Sequence, residues 1–304
     1  DFDKYIKETF DKLKSEGKIE SIKEVEPPKI PLDYTEAVRL GIVRRQTDVV
    51  VTISDDRGDV PTFAGFGLDE IIRENKSIGY VIGLLWFKKD LPEFAQEFIE
   101  MVIKLTADHG PAVSGAHNAI VAARAGKDLM SSLASGILTI GPRFGGAISD
   151  AAKYFREALQ KQMTPLEFVS YMKNVVQVNI PGIGHRIKSV QNPDVRVTLL
   201  KEFVFKNFPK HPHLKYALEV EKLTTSKRNN LILNVDGCIG ITFLDLLENL
   251  DFTKEEIEDV IDSEALNGLF VLGRSIGMMG HVFDQKRQRA GLYRQPWDEI
   301  LFTD

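Results

Sequence analysis

Residues 91–125 read LPEFAQEFIEMVIKLTADHGPAVSGAHNAIVAARA. Pro92 followed by Glu93 marks a helix start, because the first turn needs no N–H from its proline. Phe94, Phe98, Met101, Val102 and Leu105 then recur at three- and four-residue spacing, the pattern of one buried helix face. The run breaks at Asp108-His109-Gly110-Pro111, and a second helix is expected over 114–125, rich in Ala, Ser and Gly. Small residues on a helix face let a neighbouring backbone approach closely, so this stretch predicts helix packed on helix.

The same signals extend in both directions. Helices are expected over 3–16, where Tyr5, Ile6, Phe10 and Leu13 share a face, and over 128–140, 148–161, 165–174, 193–207, 213–225, 238–248, 254–262 and 265–283. Gly273 and Gly277 have the G-x-x-x-G spacing. With Arg274 between them, that spacing predicts close packing in a soluble core rather than a membrane dimer face. Pro27, Pro28 and Pro31 exclude a helix from 24–33 and mark a linker. Strand signals are confined to 48–54 and 60–64, which flank the turn Asp55-Asp56-Arg57-Gly58 and predict one small β-hairpin. Strand–helix alternation is absent, so the fold class is mostly α.

The 304 residues are 43% hydrophobic, enough for a sizeable core. A net charge of -5 provides no general attraction to nucleic acid. Cys238 is the single cysteine, so no internal disulfide forms and a reducing compartment, the cytoplasm, is expected. The longest apolar run, around 81–87, is cut by Lys88, Lys89 and Asp90, well short of the ~20 residues that span a bilayer, and no secretory signal is visible. The first residue is not methionine, which suits a fragment or a processed chain.

Three segments set ionisable groups beside glycine in apolar surroundings: 106–110 (TADHG), 181–186 (PGIGHR) and 234–237 (NVDG). Helix N-termini with nearby glycine favour anions. Asp236 alone reads equally as an N-cap, His109 as a hydrogen-bonded core histidine and His185 as a loop residue. His211 and His213 flank Pro212 in a polar loop and are expected to be exposed, while His281 and His117 read as core or helix-end residues. Gly182-Ile183-Gly184 lacks the preceding strand and third glycine of a dinucleotide fingerprint. His109, His117 and Asp108 lack metal-ligand spacing, so no metal is expected. Cys238 reads as a small packing residue. Arg186, Arg196, Arg274 and Arg294 lie near glycine or proline or within apolar helices, and guanidinium clusters suit a polycarboxylate.

Taken together, the segments TADHGPAVSGAHN (106–118), GIGHR (182–186) and NVDG (234–237), with flanking ARAGKDLMSSLASGILTIGPRFGGA, ALEVEKLTTSK and DQKRQRAGLYRQPWDE, resemble the citryl-CoA-cleaving module of the ATP-citrate lyase family. The resemblance implies the citrate synthase fold, with an N-terminal helix and linker over 1–35, a large helical domain over 36–145 and 236–304, and a small one over 146–235. It implies a lyase that cleaves citryl-CoA to acetyl-CoA and oxaloacetate, with His109, His185 and Asp236 catalytic. In this scheme His185 takes the hydroxyl proton and Asp236 protonates the methylene carbon. Arg186, Arg196, Arg274 and Arg294 would bind the carboxylates of citrate or oxaloacetate. Gly182, Ile183, Gly184, Lys227 and Arg228 would hold coenzyme A, which enters as a thioester substrate and leaves as product. A solvated basic turn is the plain reading of Lys227 and Arg228. The resemblance further implies a homodimer whose shared site receives Arg294 from the other copy, a homotetrameric core, and further ATP-citrate lyase domains that carry the nucleotide step. No phosphate-cradling G-x-x-x-x-G-K motif occurs in this chain. Phe144 stands where citrate synthases carry an enolate-stabilising histidine, which favours the lyase over a synthase. A non-catalytic oligomerisation module is the remaining alternative.

Overall fold

The computed structural model describes residues 2–18, 34–41, 51–141 and 144–303, and the chain divides into two units, 1–51 and 52–304. The first unit holds α1 (Phe2–Ser15) and α2 (Tyr34–Arg39). α1 matches the expected helix to within a residue at each end, and its Phe2, Tyr5 and Ile6 are exposed. The proline-rich linker at 24–33, and 48–50 of the expected hairpin, lie outside the described residues.

The second unit opens with β1 (Ser54–Asp55), β2 (Thr62–Phe63) and β3 (Phe66–Gly67), antiparallel in that order, with Ser54 opposite Phe63 and Thr62 opposite Gly67. The single expected hairpin is therefore corrected to a three-stranded patch of two-residue strands. Ala64 and Gly65 adopt φ of 49° and 90°, which turns the chain back immediately after β2 and supplies the extra strand.

Helices follow throughout. α3 (Leu68–Arg73) and α4 (Ile78–Phe87) escaped the sequence reading. The α4 sequence IGYVIGLLWF is apolar on nearly every side, so it shows no amphipathic period, although Ser77 caps it by accepting the Tyr80 N–H at 3.0 Å. α5 (Glu93–Thr106) starts one residue later than expected, because Pro92 is extended (φ −64°, ψ 158°) and serves as its N-cap. Then come α6 (Ser114–Arg124), α7 (Leu129–Ile137), α8 (Ala147–Gln160) and α9 (Pro165–Tyr171), which begins with a Thr164/Glu167 capping box. The expected helix over 165–174 changes character at its end. It continues as a π-helical turn, Met172–Val176, and stops at Gln177 in the left-handed region. α10 (Val195–Asn207), α11 (Pro212–Thr225), α12 (Val235–Asn249), α13 (Lys254–Asp262) and α14 (Ala265–Arg287) complete the framework.

The main apolar core takes Phe98 and Val102 from α5, Ile148 and Phe155 from α8, Ile239 and Phe243 from α12, and Leu269 and Phe270 from α14, with smaller clusters around Met278 and around Tyr80. α12 is buried along nearly its whole length, which packs it into the main core. His213, expected at the surface, is buried at 3% exposure. The cause is Asp245, a carboxylate buried inside α12. It accepts the His213 and Leu214 N–H groups, each at 2.9 Å, and lies 3.1 Å from His213 Nδ1. An otherwise uncompensated carboxylate thus caps α11 and draws the histidine inward. Among the described residues no helix is long and apolar enough to cross a membrane.

Candidate active site

Two of the three glycine-bearing segments are bonded directly to each other. Asn234 caps α12 by accepting the Gly237 N–H at 3.0 Å, and its amide donates to the Gly184 carbonyl at 3.0 Å. Its backbone N–H donates to Gly182 O at 2.9 Å, and Gly184 N–H donates to Ile232 O at 2.7 Å. His185 N–H donates to Asn230 O at 2.9 Å, and the Asn230 amide returns a bond to His185 O at 3.0 Å. Gly182 has φ +83°, and a Cβ on it would lie 2.5 Å from Gly237 Cα. Only two glycines permit this crossing, which brings the segment carrying His185 against the first turn of α12, where Asp236 lies.

The ionisable groups converge. Burial pushes the Asp236 carboxyl up from the ordinary range, with Arg196 and Arg274 pulling it back and Asp194 adding to the rise. Burial also lowers His109, helped by Arg196 and Arg274. It lowers His185 as well, against the opposing pull of Asp194 and with support from Arg196 and Lys188. His109, His185, Arg196, Asp236 and Arg274 thus form one electrostatic cluster, drawn from four distant stretches.

The histidine contacts assign tautomers. His185 Nδ1 accepts the N–H groups of Ile187 at 3.0 Å and Lys188 at 2.9 Å, so the neutral ring carries its proton on Nε2. His109 Nδ1 lies 3.4 Å from Arg196 Nη1, which can only donate, so this ring also presents an Nε2–H. The base role expected for His185 meets one constraint in this geometry. Its one acceptor nitrogen is occupied by two backbone donors, and the nitrogen left to meet a ligand is itself a donor.

Arg196 is held by Asp194 in a fork, Nε to Oδ1 at 3.0 Å and Nη2 to Oδ2 at 2.6 Å. Arg274 differs sharply. It is 3% exposed, and its Nε and Nη1 have no hydrogen-bond partner among the described residues. Its charge meets the rings of Phe270 at 4.8 Å and Phe144 at 5.7 Å, and burial lowers its pKa. A buried guanidinium without an acceptor is costly and calls for an anion.

The other expected residues are distributed differently. Arg186 is exposed, and it is not among the charges that shift His185 or Asp236. Arg294 is exposed in the irregular segment after α14 and likewise acts on none of the cluster. Gly182 is consumed by the crossing with Gly237, while Ile183, Lys227 and Arg228 line a cleft of about 840 Å³ together with Lys173, Gln177 and Asn179. Gly184 contributes backbone bonds rather than a cleft wall. Asp108 binds His281 while His117 packs edge-on to Tyr293, so the weighed His109–His117–Asp108 group does not assemble.

Sequence reasoning missed Asp194, which is buried at 4% exposure, and the Asp108–His281 pair. Asp194 had a faint signal, since Pro193-Asp194 precedes a helix and suits an N-cap. Nothing local links Asp108 to His281.

Residues 66–295 match the family described as citrate synthase, C-terminal domain. The chain is 58% identical over 299 residues to "ATP-citrate synthase beta chain protein 1" of Arabidopsis thaliana, covering 98% of this chain and 49% of that one. It is 55% identical to ATP citrate lyase from Methanothrix soehngenii, solved in complex with citrate and coenzyme A, with TM-score 0.81 over 98% of this chain and 48% of that one. Citryl-CoA lyase from Hydrogenobacter thermophilus shares the fold, at TM-score 0.71 and 24% identity over 84% of this chain and 94% of that one. The chain spans about half the length of the curated plant relatives it matches.

Proposed function

Because the chain belongs to the citrate synthase family, we propose that it cleaves citryl-CoA to acetyl-CoA and oxaloacetate, as the lyase portion of an ATP-citrate lyase. The observation that carries this reading is Arg274, a buried guanidinium whose unpartnered nitrogens demand a carboxylate. Arg196 and the Nε2–H groups of His109 and His185 add further donors, which suits a substrate rich in carboxylate, hydroxyl and carbonyl oxygen.

The roles follow from the tautomers. Cleavage must remove the hydroxyl proton, break the bond between the hydroxyl-bearing carbon and the methylene carbon, and protonate the methylene of the departing enolate. Asp236, its carboxyl raised by burial, is the group suited to both transfers. As carboxylate it takes the hydroxyl proton. Carbon–carbon bond cleavage then leaves oxaloacetate and the acetyl-CoA enolate, and the carboxylic acid returns the proton to carbon, regenerating the carboxylate. The Nε2–H groups of His109 and His185 stabilise the oxygens on which charge develops. Phe144, beside Arg274, offers no donor to the enolate, so the other donors of the cluster carry that stabilisation.

Ile183, Lys227 and Arg228 hold coenzyme A in the 840 Å³ cleft, with the two cations and Lys173 facing its phosphates. Residues 146–235 act as the small domain against 36–145 and 236–304. A second copy supplies Arg294, and the assembly is a homodimer or homotetramer in the cytoplasm. Activation of citrate by nucleotide belongs to other parts of the protein, and no metal takes part. The test is to mix the purified chain with citryl-CoA without nucleotide and follow oxaloacetate and acetyl-CoA. Cleavage is expected. A folded chain that leaves citryl-CoA intact, or condenses oxaloacetate with acetyl-CoA faster than it cleaves, would overturn the proposal.

A further inference from the structure

His281 belongs to no part of the chemistry above, yet it touches the loop that carries His109. α5 ends at Thr106, and the chain turns through Ala107–Gly110 where α14 crosses it. A Cβ on Gly277 would overlap the Ala107 carbonyl and come within 2.9 Å of Asp108 Oδ1, so this approach requires glycine. On the same helix Arg274 precedes Gly277 by one turn and His281 follows it by one turn. His281 Nε2 lies 3.0 Å from Asp108 Oδ1, and Asp108 Oδ2 accepts the Gly110 N–H at 3.0 Å. Burial opposes ionisation of Asp108, but the Gly110 N–H and His281 hold its carboxyl below the ordinary range. The Asp108 side chain therefore grips the backbone on the far side of His109 with one oxygen and α14 with the other. Among the described residues, the one hydrogen-bonding approach to the His109 side chain is that of Arg196 at 3.4 Å.

We propose that His281 is a positioning residue: through Asp108 it fixes the His109 imidazole at a set spacing from Arg274, which the same helix carries. This inference rests on the lyase reading and assigns His281 and Asp108 a role in it. A structural role and a positioning role predict different magnitudes. The side chains are 20% and 44% exposed, and a polar pair at such exposure contributes little to stability. A displacement of about 1 Å at a reacting group slows turnover by about 10²-fold.

The experiment compares the full chain with His281→Leu, His281→Gln and Asp108→Asn variants. It reads kcat and KM for citryl-CoA, the thermal midpoint, and the ¹⁵N resonances of the His109 ring. His281→Leu should lower kcat at least about tenfold with KM changed less than about threefold and the midpoint nearly constant. His281→Gln, whose amide N–H reaches the place of Nε2, should recover kcat to within about threefold of the parent. His281→Leu combined with Asp108→Asn should be no slower than the slower single variant. Parental turnover by His281→Leu, equal losses in the Gln and Leu variants, or a loss that tracks melting would each overturn the proposal. If the parent chain cleaves no citryl-CoA, the lyase reading fails. The ring resonances still decide the positioning claim: they should move in His281→Leu and return in His281→Gln, and unmoved resonances refute it.

Discussion

Asp236 and Arg274 are the two site residues that folding removes furthest from their preferred solvation, and each makes a stability prediction opposite to its activity prediction. The Asp236 pKa is raised in the folded chain, so between the unfolded value near 3.9 and the folded value the native state binds more protons than the unfolded state. Stability from this group is therefore present at acid pH and lost as pH rises through the folded value. Asp236→Asn should abolish cleavage yet raise the melting midpoint at pH 7, an advantage that vanishes below the unfolded pKa in melts run across pH. Cleavage by the parent chain should fall on acidification with a midpoint above the ordinary carboxylate range, because Asp236 must begin ionised. Arg274→Met removes a buried charge without acceptors and should stabilise the chain by about 1–4 kcal/mol in denaturant titrations while weakening substrate binding. Cys238 has its thiol pushed up to about 12 by complete burial, so an alkylating reagent should label it only after unfolding.

At the scale of elements, the site depends on how α12 begins. Asn234 makes both a helix cap and a bond to the Gly184 carbonyl, so Asn234→Ala should cost about 1–3 kcal/mol by thermal or denaturant melting. Gly182→Ala adds a Cβ 2.5 Å from Gly237 Cα at a φ of +83°, and should cost more than Asn234→Ala and displace His185. The elements most legible in the sequence were those with a polar face. The expectations for α5, α6, α8 and α13 fall within a residue or so of their observed bounds, because their apolar positions repeat every three or four residues. α4 was illegible for the opposite reason: buried on most sides, it has no polar face to set a period. The end of α9 was misread because a π-helical turn changes hydrogen-bond spacing without a distinctive composition.

For the molecule as a whole, charge is local. The net charge of -5 coexists with a cleft edged by Lys173, Lys227 and Arg228. Reversing Lys227 and Arg228 to glutamate should weaken coenzyme A binding at least about tenfold in calorimetry, with a flatter salt dependence and an unchanged melting midpoint. The candidate site was partly legible. His109, His185, Asp236, Arg196 and Arg274 were all picked from glycine-bearing segments or apolar helices, and they meet in one cluster. Arg186 and Arg294 were picked on the same grounds and remain exposed, since a guanidinium near glycine has the same local sequence whether it turns inward or outward.

The sequence by itself determined the mostly helical class, most helix positions and the identity of the three glycine-bearing segments, because these depend on short-range spacing and on side chains of fixed chemistry. Only the tertiary structure decided that His185 Nδ1 is taken by two backbone donors, that Asp194 pairs with Arg196 while Arg274 has no acceptor among the described residues, and that Asp245 draws His213 into the core. Each of those outcomes depends on donors and acceptors brought together from remote stretches, and hydrogen-bond geometry at that range has no signature in local order of residues.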